Sequence, residues 1–142
     1  MSRFRKLSQT LWHCQYHIIW CPKYRFRILE GEIKEEVEDC IQAFSSVQKC
    51  EILELNVQID HVHVLVMIPP KISISSYVGT VKGRTAIRVL NKFRKLKQKP
   101  YWGNHLWARG YCVDTVGLDA EMVRHYVKYQ EKQEQQAEKS KY

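Results

Sequence analysis

The sequence predicts an α+β fold in which one antiparallel β-sheet carries helices on one of its faces. Its 142 residues are 44% hydrophobic, which suits one domain with a substantial core. Two strand-like segments, 51–58 and 61–68, are separated only by Ile59 and Asp60, as expected for an antiparallel pair. The predicted order is strand, helix, strand, strand, helix, strand, helix. The first six elements match the split βαβ, or ferredoxin-like, pattern.

The first part of this pattern lies before residue 50. A strand is predicted over 13–20 and ends at Cys21-Pro22, and 25–29 is expected to be a short continuation or an edge strand. A helix is predicted over 32–49, because it has an acidic start and apolar residues three and four positions apart. Its apolar stripe consists of Ile33, Val37, Ile41, Phe44 and Val47.

The second part begins where Pro69-Pro70 ends the strand 61–68. A helix is predicted from Ser73 or Ser75 to Phe93, since serine is a good N-cap residue. The basic segment 94–105 is expected to be a loop, followed by a strand near 106–116. Asp119 can cap a last helix over about 120–138, whose charged tail, 131–142, is expected to fray. We expect the whole chain, 1–142, to form a single domain.

Charge is the strongest indication of the partner. The net charge is +8, and no acidic residue lies between Asp60 and Asp114. A field of one sign over such a stretch attracts polyanions, so we expect nucleic acid to bind rather than a merely soluble basic surface. The ten basic residues of this interval are Lys71, Lys82, Arg84, Arg88, Lys92, Arg94, Lys95, Lys97, Lys99 and Arg109. The candidate DNA contacts among them are Lys82, Arg84, Arg88, Lys92, Arg94, Lys95 and Arg109.

Several other classes of protein are disfavoured. No run of 18 uncharged apolar residues could span a membrane, and no signal-peptide pattern follows the first residues, so we expect an intracellular, cytoplasmic protein. The five cysteines are odd in number and form no CxxC pair, which argues against a disulfide framework or a zinc ribbon. Buried, reduced thiols are the simpler expectation.

The segment Asp60-His61-Val62-His63 is the first candidate for chemistry. On a strand, His61 and His63 share one face, while Val62 points to the core. Two imidazoles placed in this way can reach one cation from a rigid element. An HxH pair alone is a weak signal, and two strand histidines are more often structural.

The last predicted helix holds the second candidate. Tyr126 and Gln130 are four residues apart and therefore lie on one helix face. A tyrosine oxygen can attack phosphorus and form a covalent phosphotyrosine, and an amide oxygen is a ligand that hard cations accept. With both histidines, Gln130 would make three protein ligands. Without the histidines, Tyr126 would be read as a core aromatic residue.

Some alternatives stay open at this point. Tyr129 is a rival nucleophile, but it is turned about 60° from Tyr126 around the helix. His13 and His17 share a strand face with Gln15 and could flank the metal site, although a structural role is the simpler expectation. Tyr101, Trp102 and Trp107 could stack bases, and core packing is an equal alternative for Trp107.

Taken together and in order, these motifs resemble the one-tyrosine HUH transposases of the insertion-sequence 200/605 type (IS200-like). The resemblance spans almost the whole chain. It is carried by Tyr16-His17-Ile18-Ile19-Trp20-Cys21-Pro22-Lys23-Tyr24-Arg25, Asp60-His61-Val62-His63 with Pro69-Pro70, Lys82-Gly83, Leu106-Trp107-Ala108-Arg109-Gly110-Tyr111, Thr115-Val116-Gly117, and Tyr126 with Gln130.

The resemblance implies a single-stranded DNA transposase. Its metal ligands would be His61, His63 and Gln130, its metal magnesium or manganese, and its nucleophile Tyr126. It also implies a homodimer that binds hairpins at element ends, shares its active site between subunits, and forms a 5′-phosphotyrosine and a free 3′-hydroxyl. Imidazole ligands favour manganese, whereas abundance favours magnesium. Whether Tyr126 docks in cis or in trans stays open.

Two other functions remain from the sequence. One is a domesticated relative that processes repeat hairpins in a host genome without mobilising an element. The other is a non-catalytic nucleic-acid-binding module with incidental histidines. The DNA that flanks the gene distinguishes a domesticated relative from a transposase. A cleavage assay distinguishes a non-catalytic binding module from both enzymes.

Overall fold

The computed structural model describes residues 5–7, 10–97 and 105–115, together with Lys128, Lys132 and Gln136. The chain divides into two compact units, Cys14–Thr115 and the pair of chain ends Met1–His13 with Val116–Tyr142. In the unit of the chain ends, β1 (Arg5–Leu7) pairs antiparallel with β2 (Thr10–Trp12), a hairpin that we did not expect from the sequence. Lys128, Lys132 and Gln136 are helical and exposed. The rest of the helix predicted over 120–138 lies outside the described residues.

The unit Cys14–Thr115 confirms the predicted fold class. Its four strands form one antiparallel sheet in the order β4-β5-β3-β6, which is the ferredoxin-like order. The strands are β3 (Gln15–Trp20), β4 (Glu51–Gln58), β5 (His61–Met67) and β6 (Cys112–Thr115). The helices are α1 (Gly31–Val47) and α2 (Ile74–Lys92).

The core lies between the two helices and one face of the sheet. Ile18 of β3 and Val62, Val64 and Val66 of β5 are fully buried there, and they pack in one cluster with apolar residues of both helices. Because side chains alternate along a strand, His17, His61 and His63 belong to the opposite face. Burial of the valines therefore fixes which way the histidines point.

Local signals explain most element boundaries. The Ser73 side chain accepts a hydrogen bond from the Ser76 amide at 3.0 Å, so serine caps α2 as expected. Helix α1 ends before Lys49, whose left-handed backbone (φ 59°) lets Cys50 donate back to the Ser45 carbonyl at 3.0 Å. Both hairpin strands, β4 and β5, lie within one residue of their predicted bounds.

Two strand predictions were wrong in detail. Residues 25–29 form no strand, because a short 3-10 turn over Lys23–Arg25 redirects the chain after Pro22. The last strand is only Cys112–Thr115, although 106–116 was predicted. Residues before it pair instead with the loop after β3: the Lys23 amide donates to the Leu106 carbonyl, and the Ala108 amide to the Cys21 carbonyl, both at 2.9 Å.

The five cysteines differ in their exposure. All five cysteines are free, and Cys40 and Cys50 are buried, which raises the pKa of each thiol to about 11. Cys112, in contrast, is exposed. Among the helices that the structure describes, none is long and apolar enough to cross a membrane.

Candidate functional site

His61 and His63 lie side by side on β5, an inner strand of the sheet, and point away from the helices. Both are partly buried, while Val62 between them is completely buried. On β4, Gln58 lies opposite His61 and Asn56 opposite His63. The histidine pair is thus held by a strand that is hydrogen-bonded on both sides, as a rigid ligand site requires.

A carboxylate fixes the ring of His61. Its Nδ1 lies 2.8 Å from Oδ1 of Asp60, and Asp60 Oδ2 accepts a hydrogen bond from Nε of Arg25 at 3.1 Å. The hydrogen bond with His61, together with Arg25, holds the pKa of the Asp60 carboxyl below its usual value. An ionised carboxylate accepts from a protonated Nδ1, so Nε2 of His61 is the nitrogen left for a cation.

His17 holds the ring of His63. The Nδ1 atom of His17 on β3 lies 3.0 Å from Nε2 of His63, and the two ring centroids are 5.2 Å apart. His17 is opposite Leu65 in the register, so it reaches His63 diagonally across the sheet. His17 was expected to have a structural role or to flank the metal site, and the structure places it in contact with a predicted ligand.

The donor set fits a divalent cation that still needs further ligands. Two imidazoles on a rigid strand can bind a divalent metal, and Asp60 supplies the outer carboxylate that such ligands commonly have. Within the described residues, no group of three His, Cys, Asp or Glu side chains converges on one point. The remaining coordination positions of such a cation would be filled by a residue of another type, by phosphate oxygens or by water.

Much of the basic helix makes contacts inside the protein. Nζ of Lys82 donates to the carbonyls of Ala108 at 3.0 Å and Gly110 at 2.8 Å, and burial lowers the pKa of this amine. The guanidinium groups of Arg84 and Arg88 lie 5.7 and 5.9 Å from the ring centre of Phe44 on α1.

The remaining predicted DNA contacts are more accessible. Lys92 donates to Glu36 at 2.9 Å, yet its side chain is 59% exposed. Arg94 and Lys95 lie on a 3-10 turn directly after α2, and both are exposed, as is Arg109. The accessible cations therefore include Arg84 and Arg88, which are exposed beside Phe44, as well as those at the end of α2 and beyond it.

Trp107 belongs to the core. It is 9% exposed, packs edge-on against Trp20 at 6.1 Å between ring centroids, and donates from Nε1 to the Lys82 carbonyl at 3.0 Å. Core packing, one of the two roles weighed for Trp107, is therefore confirmed. Tyr101 and Trp102 lie outside the described residues. So do Tyr126, Gln130 and the rival Tyr129, and their predicted roles stay predictions.

The model of a known protein family, described as "Transposase IS200 like", matches residues 10–130. This chain belongs to the IS200-like transposase family. The match contains Asp60-His61-Val62-His63, Tyr126 and Gln130. It also contains His17 and Arg25, whose side chains contact those of His63 and Asp60.

Named relatives agree with this assignment over most of their length. The transposase for insertion sequence element IS200 of Salmonella typhimurium is 36% identical over 138 residues, which cover 97% of this chain and 90% of that protein. The ISDra2 transposase TnpA of Deinococcus radiodurans is 32% identical, over 87% of this chain and 89% of that one. This IS200-like transposase is therefore a DNA-processing enzyme.

Solved structures share the fold. A crystal structure from Deinococcus radiodurans R1, assigned as a transposase, has a TM-score of 0.72 and 31% identity, and covers 91% of this chain and 97% of that chain. A REP-associated tyrosine transposase bound to a REP hairpin has a TM-score of 0.56 and 14% identity, over 88% of this IS200-like transposase and 68% of that chain. The second likeness concerns the fold alone.

Sequence reasoning missed the supporting residues of the histidine pair. Asp60 and Arg25 both stand in motifs that were singled out, but their contact depends on the turn after Pro22. The alternation along β3 puts His17 on the outer face, which was the available signal. Its distance to His63 depends on the β3–β5 register, and no single strand reveals that register.

Proposed function

We propose that this IS200-like transposase cleaves and rejoins single-stranded DNA at hairpin-bearing element ends, with Tyr126 as the nucleophile. The observation that carries the proposal is the pair His61 and His63 on the outer face of β5, with Asp60 leaving Nε2 of His61 available to a cation. Identity of 36% to an insertion-sequence transposase, over 97% of the chain, favours this function over a host-adapted relative.

His61, His63 and Gln130 would hold a divalent cation, Mg²⁺ or Mn²⁺. Asp60 keeps the His61 ring in one tautomer, and His17 restrains the ring of His63. Such a cation polarises the scissile phosphate and offsets charge on the leaving oxygen. Gln130 contributes an amide oxygen, which hard cations accept.

Tyr126 performs the covalent step. Its phenolic oxygen loses a proton and attacks the phosphorus, and the bond between phosphorus and the 3′-oxygen breaks. The leaving oxygen takes up a proton and becomes a free 3′-hydroxyl, while the 5′-phosphate stays on Tyr126. A 3′-hydroxyl from another strand then attacks the phosphotyrosine and releases the tyrosine. Each step exchanges one phosphodiester for another, so no external energy source is needed.

Hairpin DNA and a second copy of the chain are the proposed partners. A tyrosine transposase with the same fold was solved with a bound REP hairpin, and we propose hairpin binding for this chain as well. The proposed complex is a homodimer in which two subunits share each active site, with Tyr126 docked in cis or in trans. We propose that Arg94, Lys95 and Arg109 contact phosphates, with Arg84, Arg88 and Lys92 nearby, because these cations are exposed. Lys82 belongs to the proposed set as well, in the role of holding the Ala108 and Gly110 carbonyls beside Arg109 rather than of contacting a phosphate itself.

The decisive experiment is covalent trapping. The protein is incubated with an end-labelled single-stranded hairpin and Mn²⁺, and denaturing electrophoresis separates adducts from free DNA. Wild-type protein should give a labelled adduct, and Tyr126→Phe should give none while still binding the hairpin. His63→Ala should bind DNA and form little adduct.

Tyr129→Phe is the matched control, since it removes a neighbouring hydroxyl and should leave the adduct unchanged. An adduct that survives in Tyr126→Phe and disappears in Tyr129→Phe would overturn the assignment of the nucleophile. Failure of the wild-type protein to cleave any of a varied hairpin set would favour the non-catalytic binding module.

A further inference from the structure

Beside the histidine pair lies a turn in which cations and aromatic residues alternate. We define the aromatic turn as Lys23–Arg27, which reads Lys-Tyr-Arg-Phe-Arg. Tyr24 is 67% exposed and Phe26 is 44% exposed, and their ring centroids are 5.7 Å apart. Two large exposed rings this close together form an apolar patch, and such patches commonly mark binding surfaces.

The backbone of this turn is strained. Tyr24 and Arg25 adopt positive φ angles of 57° and 55°, a left-handed conformation that residues with a side chain rarely occupy. The surroundings enforce it. The Lys23 amide donates to the Leu106 carbonyl at 2.9 Å, and the Arg25 amide to the Pro22 carbonyl at 2.8 Å. Strain of this kind accumulates at ligand clamps and active sites, where it aims particular side chains.

One carboxylate connects the aromatic turn to the candidate metal site. Arg25 contacts Asp60 Oδ2 at 3.1 Å, and Asp60 Oδ1 lies 2.8 Å from Nδ1 of His61. Arg25 nevertheless stays 72% exposed, so much of its guanidinium faces solvent. The turn therefore lies directly beside the candidate metal site.

The chemistry of the turn suits a single strand of nucleic acid. Flat exposed rings offer stacking surfaces to unpaired bases, and interleaved cations neutralise the phosphates between them. Lys23 lies 5.6 Å from the Tyr24 ring centre, Arg25 is held beside Asp60, and Arg27 is exposed. A paired duplex would hide its base faces from these rings, whereas an unpaired strand presents them.

We propose that Tyr24 and Phe26 stack unpaired bases of the DNA strand next to the phosphate that is cleaved, and so help to set the position of that phosphate. The inference rests on the proposed function, because it takes the histidine pair to be the cleavage site. The two rings bind the flanking bases. Arg25, which lies between the rings in sequence, contacts Asp60, and Asp60 contacts His61.

The test uses the full chain carrying Tyr126→Phe, so that binding is measured without cleavage. A set of hairpin oligonucleotides replaces one flanking base at a time with an abasic residue, and equilibrium affinity is measured for each. An abasic residue at the stacked position should weaken binding by the parent protein about tenfold. Adding Tyr24→Gly should weaken binding to intact DNA by about the same factor and abolish the further effect of the abasic residue.

Tyr24→Gly is chosen because it should fold. Glycine adopts a φ of 57° without strain, so this variant should be at least as stable as its parent while it binds DNA less tightly. Tyr24→Phe keeps the ring and should restore both the affinity and the abasic effect. Val47→Ala removes a side chain that is 71% exposed at the end of α1, and serves as the matched surface control.

The inference would be overturned if the abasic residue weakened binding by the same factor in the Tyr24→Gly variant as in the parent protein. So would a Tyr24→Phe variant that binds as poorly as Tyr24→Gly. Adduct formation by the protein with Tyr126 intact is measured in parallel. If that adduct forms but the abasic effect does not depend on Tyr24, only this inference fails. If no adduct forms on any hairpin, the proposed function itself fails.

Discussion

The Nδ1 atom of His17 lies 3.0 Å from Nε2 of His63, so a residue of β3 touches the imidazole proposed as a metal ligand on β5. This contact spans 46 positions of sequence. The contact engages Nε2 of His63 and leaves Nδ1 as the nitrogen for a cation, and a restrained ligand loses less entropy on binding.

We expect His17→Ala to weaken Mn²⁺ binding by about tenfold or more, as other losses of a ligand's supporting contact do. Titration calorimetry with Mn²⁺ alone measures this without DNA. His17→Asn places an amide near the former Nδ1 and should recover part of the affinity. Unchanged or tighter Mn²⁺ binding in His17→Ala would show that His17 competes with the metal instead of supporting its ligand.

Asp60→Ala should have a comparable effect through the other histidine. Without the carboxylate, Nδ1 and Nε2 of His61 compete for the proton, and Nε2 is no longer reserved for the cation. We expect Mn²⁺ affinity and adduct yield to fall together by about tenfold. Arg25→Gln is the comparison, because it leaves the Asp60–His61 contact in place and should preserve Mn²⁺ affinity. Equal losses in both variants would contradict a tautomer-fixing role for Asp60.

The fold was predictable from sequence because its elements are bounded by short-range signals. Ser73 caps α2, the two-residue link at Ile59 and Asp60 joins β4 to β5, and the buried valines of β5 set its inward face. The turn after Pro22 was not predictable in this way. Tyr24 and Arg25 have no residue-level preference for left-handed backbone, and distant partners such as the Leu106 carbonyl enforce it.

The same distinction applies to the site. His61 and His63 were predictable, since alternation along one strand brings them together. His17, Asp60 and Arg25 act through contacts between elements, and periodicity carries no information about those. For the basic residues of α2, the sequence overstated the free surface charge. Lys82 was counted as a surface cation, but its amine donates to two backbone carbonyls of the protein.

Lys82→Met is expected to lower the free energy of unfolding by about 2 kcal/mol, because two carbonyls lose a charged donor. Chemical denaturation measures this. The salt dependence of hairpin binding should stay unchanged, since the amine is occupied by Ala108 and Gly110. Lys95→Met is the control: it removes an exposed cation, so its stability should stay within about 0.5 kcal/mol of wild type. A Lys82→Met protein of normal stability with a shallower salt slope would instead mark Lys82 as a phosphate contact.

The pair Glu36–Lys92 should make stability depend on pH. The hydrogen bond from Lys92 lowers the pKa of Glu36, so the folded state keeps this carboxylate ionised at a lower pH than the unfolded state does. The stabilisation is fully present above the ordinary pKa of glutamate and is lost as the pH falls through the lowered pKa. The same contact raises the pKa of Lys92, so its contribution disappears only in strong alkali.

Glu36→Gln should therefore cost about 0.5 kcal/mol at neutral pH, a small value because Lys92 is 59% exposed. The difference from wild type should shrink as the pH falls below the ordinary glutamate pKa of about 4.3, and it should vanish below the lowered pKa of Glu36. Denaturation curves across this pH range measure it. Glu35→Gln, one position earlier on the exposed side of α1, is the matched surface control. A difference that persists unchanged in acid would assign the effect to packing around Cys40.

The turn at Ile59 and Asp60 has a consequence for how this gene can vary. Gln58 pairs with His61 across it, so its length sets which residues of β5 face outward. One inserted codon within β5 would shift the alternation and send a histidine into the core in place of a valine. The hairpin should therefore tolerate many substitutions at Ile59 but no change of length. An insertion scan of the gene should therefore find no tolerated insertion between Gln58 and His63.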